Sequence, residues 1–160
     1  METLDHIDIT LLKLLQNNSR LTTKELSQEV GLSISPVYER VKRLENEGYI
    51  ERYVALLNPS KLNLGLIAFV NVNLTQPSKE AVDEFTAAIG DRPEIVQCFN
   101  LTGRHDFIMQ VFLSDMDHYR TFLLDVLGNI KSIARIETNF VLATVKQTSA
   151  LPMTRLNGVD

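Results

Sequence analysis

GLSISPVYERVKRLENEGYI, Gly31–Ile50, decides how the first third of this chain is read. Val37, Val41 and Leu44 recur at helical spacing, so one side of the stretch is apolar and the segment reads as a helix stopped by Gly48. At about 100° per residue, the opposite side carries Ser35, Pro36, Glu39, Lys42 and Arg43, with Arg40 on its flank. Pro36 is compatible with a helix start because backbone N–H groups in the first turn have no helical acceptor. Either Ser35 caps the helix with Pro36 in the first helical position, or Ser33 is the cap.

Upstream, Thr22 is followed three residues later by Glu25, a capping box that opens a short helix from about Thr23 to Val30. Leu26 and Val30 share its inner face, and Gly31 supplies the left-handed residue that closes it. Three residues then separate Val30 from the next helix, the brevity of a helix-turn-helix over 24–43. Before it, Leu4, Ile7, Leu11 and Leu14, widened by Leu12 and Leu15, make residues 4–16 an amphipathic helix. After it, YIERYVALLNP reads as a short strand or wing ending at Asn58-Pro59, with Arg52 near the phosphates of a bound duplex. Glu45 and Glu47 sit at the end of the third helix that stays out of a DNA groove. Glu39 is less simple: it either pairs with Arg43 four residues on, or accepts from a cytosine amine. Residues 1–60 therefore read as a winged helix-turn-helix DNA-binding domain, with a three-helix interaction module as the alternative.

From Leu62 the pattern changes. A hinge over 61–65 precedes LIAFVNVNL (Leu66–Leu74), a strand; Ser78 opens a helix with Val82, Phe85 and Ile89 aligned; Ile95–Leu101 is a second strand. Asp106–Leu113 is a third strand, Met116–Leu127 a helix and Ile133–Val145 a long last strand. The order βαββαβ is ferredoxin-like, with both helices on one face of an antiparallel sheet, so the whole chain is α+β with this second domain at 66–150 and a tail at 151–160. LIAFVNVNL and IETNFVLATV carry apolar residues on both faces, so the uncovered sheet face predicts pairing with a second copy. Between strands two and three, LTGRHD is either a hairpin turn using Gly103 for positive φ and Asp106 for a side-chain bond, or a cradle for a small zwitterion.

Composition narrows the function classes. With 44% hydrophobic and 22% charged residues over 160, disorder is not expected, although either half alone has a thin core. The net charge of -4 excludes a generally basic nucleic-acid coat and leaves DNA binding to a local face. No apolar run of about 18 residues and no signal-peptide pattern occurs, so no membrane partner and a cytoplasmic location are expected. Cys98 reads as a buried inert thiol and His105 as a solvated turn residue. His6, His105 and His118 lie too far apart in sequence to suggest a metal, and neither a metal nor a cofactor is expected. Nor does any nucleophile–base pair suggest an enzyme.

DITLLKLLQNNSRLTTKELSQEVGLSISPVYERVKRLENEGYIERYVALLNP, with the later TGRHDF and ETNFVLATVKQTSALP, resembles the Lrp/AsnC family of feast/famine transcription regulators from about Asp5 to Pro152. SISPVYERVKRLENEGYI with YVALLNP is most similar to its leucine-responsive branch. The resemblance implies a winged helix-turn-helix joined by a hinge to a ligand-sensing RAM domain. It further implies dimers that assemble into tetramers or octamers, and an amino acid effector bound where dimers meet. It places DNA recognition on Ser33, Ser35, Pro36, Arg40 and Arg43, to which the outer-face reading adds Glu39 and Lys42 and the wing adds Arg52. It places the effector loop on Thr102, Gly103, Arg104 and Asp106, with Thr138, Asn139 and Phe140 contributed by a neighbouring dimer. Phe140 and Leu113 hint at leucine or methionine as effector. The competing reading is an architectural protein that wraps DNA with little effector control.

Overall fold

The computed structural model of the chain describes residues 4–153. Two compact units result: residues 4–56 with 146–153, and residues 57–145. No helix among the described residues is long and apolar enough to cross a membrane.

The first unit holds α1 (His6–Asn17), α2 (Thr23–Val30) and α3 (Ile34–Asn46). Thr22 and Glu25 form the expected capping box, and Gly31 closes α2 at φ 68°, a left-handed conformation that suits glycine. A second capping box opens α1, where Asp5 and Asp8 bond each other's backbone N–H. For α3 the cap is Ser33, by backbone position and without a side-chain bond, and Pro36 becomes the third helical residue. Its missing N–H still falls among the groups that lack a helical acceptor. Leu11, Leu12, Leu15, Leu26, Val37 and Leu44 form the core. Met153 packs against it, and Gln16 exchanges two hydrogen bonds with the Leu151 backbone, at 2.9 and 3.3 Å.

The expected wing does not form as a strand. Residues 51–58 run exposed and without a ladder, because no strand among the described residues lies beside them to pair with. Tyr53 ties the segment back to α3 by donating its hydroxyl to Glu45 Oε1 at 2.8 Å. Burial, then this bond and the charge of Glu45, push the Tyr53 pKa up to about 12. The folded value lies above the ordinary phenol value of about 10, so this contact's stabilisation is complete below about pH 10 and is lost as pH rises through about 12. In an ultraviolet titration, Tyr53→Phe is expected to remove the phenolate step at highest pH. Loss of a step near the ordinary value of about 10 instead would refute the contact.

The second unit begins with a 3-10 turn, Pro59–Leu62, capped by the Asn58 side chain, so part of the segment expected as a hinge is helical. It continues as β1 (Leu66–Leu74), α4 (Lys79–Ile89), β2 (Ile95–Asn100), β3 (Phe107–Leu113), α5 (Met116–Thr121) and β4 (Ile133–Phe140). The sheet is antiparallel in the order β2-β3-β1-β4, the expected βαββαβ arrangement. Ala68, Val70, Val72 and Leu74 of β1 and Phe107, Met109, Val111 and Leu113 of β3 alternate onto one face and pack with Phe85, Ile89, Phe122 and Leu127 from the helical segments. Two expected boundaries change by more than one residue. β4 ends at Phe140 rather than Val145, because its partner β1 has no residues before Leu66 left to pair; the last rung is Val141 N–H to Ile67 O at 2.9 Å. The helix expected over Met116–Leu127 becomes a π turn at Phe122–Val126 and a 3-10 turn at Leu127–Asn129, which leaves Phe122 rather than Leu123 fully buried.

Candidate nucleic-acid interface and effector loop

Burial of Val37 and Leu44 against the helical core leaves Ser33, Ser35, Pro36, Glu39 and Lys42 on the exposed side of α3. Ile34 and Tyr38, each 51% exposed, share that surface, and Lys42 Nζ lies 5.8 Å from the centre of the Tyr38 ring. Both residues escaped the reading of the sequence. The signal was available, since an aromatic and an aliphatic side chain stood outside the Val37–Val41–Leu44 stripe. Arg52 is exposed in the extended segment that follows.

Arg43 and Arg40 are placed differently from expectation. Both guanidinium groups turn towards α1 and converge on Asp8, which is 1% exposed: Arg40 Nη1 donates to Oδ1 at 2.7 Å and Arg43 Nη2 to Oδ2 at 2.6 Å. Arg40 also reaches Asp5 Oδ2 at 2.7 Å. The bond to Asp8, opposed by burial and helped by Asp5, holds the Arg40 pKa above its usual value. Burial pushes the Asp5 pKa upward, but the Asp8 backbone N–H and the Arg40 guanidinium outweigh it and hold that carboxyl below its ordinary range. Glu39 makes no ion pair among the described residues, so its expected pairing with Arg43 is replaced by the Asp8–Arg43 pair. The carboxylate that claims Arg43 lies 35 residues away in sequence.

In the second unit, Thr102, Gly103 and Arg104 are exposed in the turn between β2 and β3, with Gly103 at φ 124°. The turn is held from below. Asp106 donates its N–H to Val72 O at 3.0 Å, and its Oδ2 accepts from the Leu74 N–H at 2.8 Å. Asn73 donates to Arg104 O at 2.7 Å and bonds His105 Nδ1 at 3.0 Å. The side-chain bond expected of Asp106 as a turn residue is thus made, and that carboxylate is anchored with its second oxygen outside the Leu74 bond.

Thr138, Asn139 and Phe140 do not share a surface. Register places Thr138 opposite Val70 and Phe140 opposite Ala68, on the helix-covered face. There Thr138 Oγ1 accepts from the Tyr119 hydroxyl at 2.9 Å and Phe140 meets the Tyr119 ring edge-on at 4.9 Å. Asn139 lies opposite Phe69 on the other face. Ala68 and Leu74 are six residues apart on β1, roughly 20 Å at 3.3 Å per residue, so the turn and Phe140 stand at opposite ends of the sheet.

The open sheet face carries Phe69 and Phe99, 37% and 53% exposed. Beside it is an apolar pocket of ≈ 450 Å³ whose lining includes Leu57, Leu62, Leu64, Val96 and Phe112. Burial raises the pKa of the Cys98 thiol. Among the described residues no group of His, Cys, Asp and Glu side chains has the arrangement to hold a metal ion.

Known proteins agree with both halves. Residues 4–51 match the family model for winged helix-turn-helix DNA-binding domains, and residues 67–151 match that of the Lrp/AsnC ligand binding domain. A Bkd operon transcriptional regulator from Pseudomonas aeruginosa is 37% identical over 153 residues, 96% of this chain and 100% of the relative. The leucine-responsive regulatory protein of Salmonella typhimurium is 37% identical over 92% of this chain and 90% of its own length. A transcriptional regulator from Neisseria meningitidis, solved as its L-Met complex, superposes with a TM-score of 0.92 at 42% identity, covering 96% of this chain and 99% of that one. A helix-turn-helix whose recognition helix presents an exposed polar face, followed in one chain by a ferredoxin-like sensor domain, makes this protein a member of the Lrp/AsnC family of DNA-binding transcription regulators.

Proposed function

We propose that this regulator is a cytoplasmic homo-oligomer that reads DNA with the exposed side of α3 and changes assembly or DNA affinity when an amino acid binds at the turn 102–106. The exposed surface from Ser33 to Lys42 is the observation that carries the DNA half of this reading. Ser33, Ser35 and Glu39 have the donors and acceptors to meet base edges, Pro36 and Tyr38 the apolar contact, and Lys42 and Arg52 the charge for phosphates. On the effector side, the N–H groups of Thr102, Gly103 and Arg104 suit a carboxylate, and the Asp106 oxygen outside the Leu74 bond suits an ammonium.

Geometry supports a second copy. The roughly 20 Å between the turn and Phe140 within one sheet means that a ligand touching both draws them from different protomers. Asn139 is then the residue of the last strand offered to a neighbour, while Thr138 and Phe140 act from beneath through Tyr119. The exposed Phe69 and Phe99 favour self-association into dimers and, through the turns, tetramers or octamers. Methionine is the first effector to test, because the Neisseria meningitidis regulator was solved with L-Met; leucine is the second.

Asp106→Asn keeps an oxygen for the Leu74 N–H but removes the charge, so calorimetry should show methionine affinity falling about 100-fold, about 2.7 kcal/mol, with the oligomer intact. Wild-type affinity would overturn the assignment. Footprints that are discrete and shift with methionine support this reading over an architectural DNA-wrapping protein.

A further inference from the structure

We infer that Asp8 is a positioning residue for DNA recognition: by holding Arg40 and Arg43 against α1 it withholds two cations of the recognition helix from the phosphates, and so favours sequence-specific over non-specific binding. The inference rests on the reading that α3 faces DNA. Along α3 the cations are Arg40, Lys42 and Arg43 and the carboxylates Glu39 and Glu45. Asp5 and Asp8 neutralise the two arginines, and what the helix still offers to solvent is Lys42 beside Glu39 and Glu45.

The arginines are not readily released. Asp8 is 1% exposed, with one short guanidinium bond on each oxygen, and Oδ2 also accepts the Asp5 N–H at 3.1 Å. A phosphate that drew Arg43 away would leave a buried carboxylate short of a partner, which is strongly unfavourable, and would gain only a second charge-assisted bond of the same kind. The guanidinium groups are nevertheless near the surface, their side chains 27% and 29% exposed, so removing the Asp8 charge makes them available. Phosphate contacts add affinity that is indifferent to sequence, whereas base contacts discriminate. An aspartate beneath the recognition helix thus limits the indifferent part.

The test measures the slope of log K against log salt for the full-length protein on two probes, a mixed-sequence duplex and a duplex selected by the wild-type protein from a random pool. Asp8→Asn should steepen the mixed-sequence slope by about 0.9 to 1.8 per protomer, one or two added phosphate contacts, and lower the preference for the selected duplex several-fold. Arg43→Gln, which keeps the Asp8–Arg40 pair, should leave the slope at the wild-type value. An unchanged slope in a folded Asp8→Asn protein, or a slope shallower by about 0.9 in Arg43→Gln, overturns the inference. If Asp8→Asn proves unfolded by circular dichroism, Arg43→Gln alone decides. Lys42→Ala is measured alongside: a slope unaltered by that change removes α3 from the DNA interface, which is failure of the underlying reading rather than of the Asp8 assignment.

Discussion

Replacing Asp8 by alanine is expected to lower the melting temperature of the helix-turn-helix unit by roughly 10–20 °C. One change removes the acceptor for Arg40 and Arg43 and half of the α1 capping box. Breaking a buried ion pair costs about 3–5 kcal/mol, and loss of a cap about 1 kcal/mol. The arginines released are 27–29% exposed and regain water, which reduces the sum to about 2–4 kcal/mol. Against a core this small, which supplies about 3–5 kcal/mol, that is most of the stability. Amide exchange in α1–α3 reports it directly, and protection within a factor of two of the wild type would refute the account.

Phe85→Ala is expected to cost the sheet unit about 3–5 kcal/mol. Phe85 is fully buried and its ring lies 4.5 Å from that of Phe107 at an interplanar angle of 35°. Truncation leaves a cavity between α4 and the sheet at the residue that follows Asp106, so the turn 102–106 loosens along with the core. We expect the unfolding midpoint to fall by about 10–20 °C and the proposed methionine binding to weaken with it. Phe85→Leu, which leaves a smaller void, should lose much less. Equal losses in the two variants would show that the ring contact, rather than the filled volume, is what counts.

Local rules in the sequence located the parts of this fold that local chemistry specifies. Thr22 and Glu25, Gly31, and the strand at Leu66–Leu74 are each decided within a few residues, and each was readable. That Ala68, Val70, Val72 and Leu74 rather than Ile67 and Phe69 face the core is set by packing against the helices. Where a distant partner sets the outcome, reading the sequence fell short. The strand-favouring residues Tyr49, Ile50, Tyr53 and Val54 were real, but a strand needs a neighbour and none lies beside them among the described residues. The apolar run beyond Phe140 lost its ladder because β1 begins at Leu66. A helical projection gives the direction of Cβ, which put Arg43 outside; its long side chain follows instead the nearest buried carboxylate. The DHID sequence at Asp5–Asp8 is a capping pair of the same form as Thr22–Glu25, with aspartate in place of threonine and of glutamate. Recognising it would have shown where α1 begins, though not that Asp8 takes two arginines. For Thr138 to Phe140, strand alternation alone separates Asn139 from its neighbours, and the register with β1 decides which of them faces the helices.

The closing contacts of the DNA-binding unit come late in synthesis. Leu151 bonds to Gln16 and Met153 covers the helical core, yet about 90 residues of the sheet unit lie between them and the end of α3's own segment. At a ribosomal rate of roughly 5–20 residues per second, α1, α2 and α3 leave the exit tunnel about 5–20 s before the strand of chain that completes their packing. The nascent regulator therefore carries its recognition helix on an unfinished domain until Leu151 and Met153 emerge.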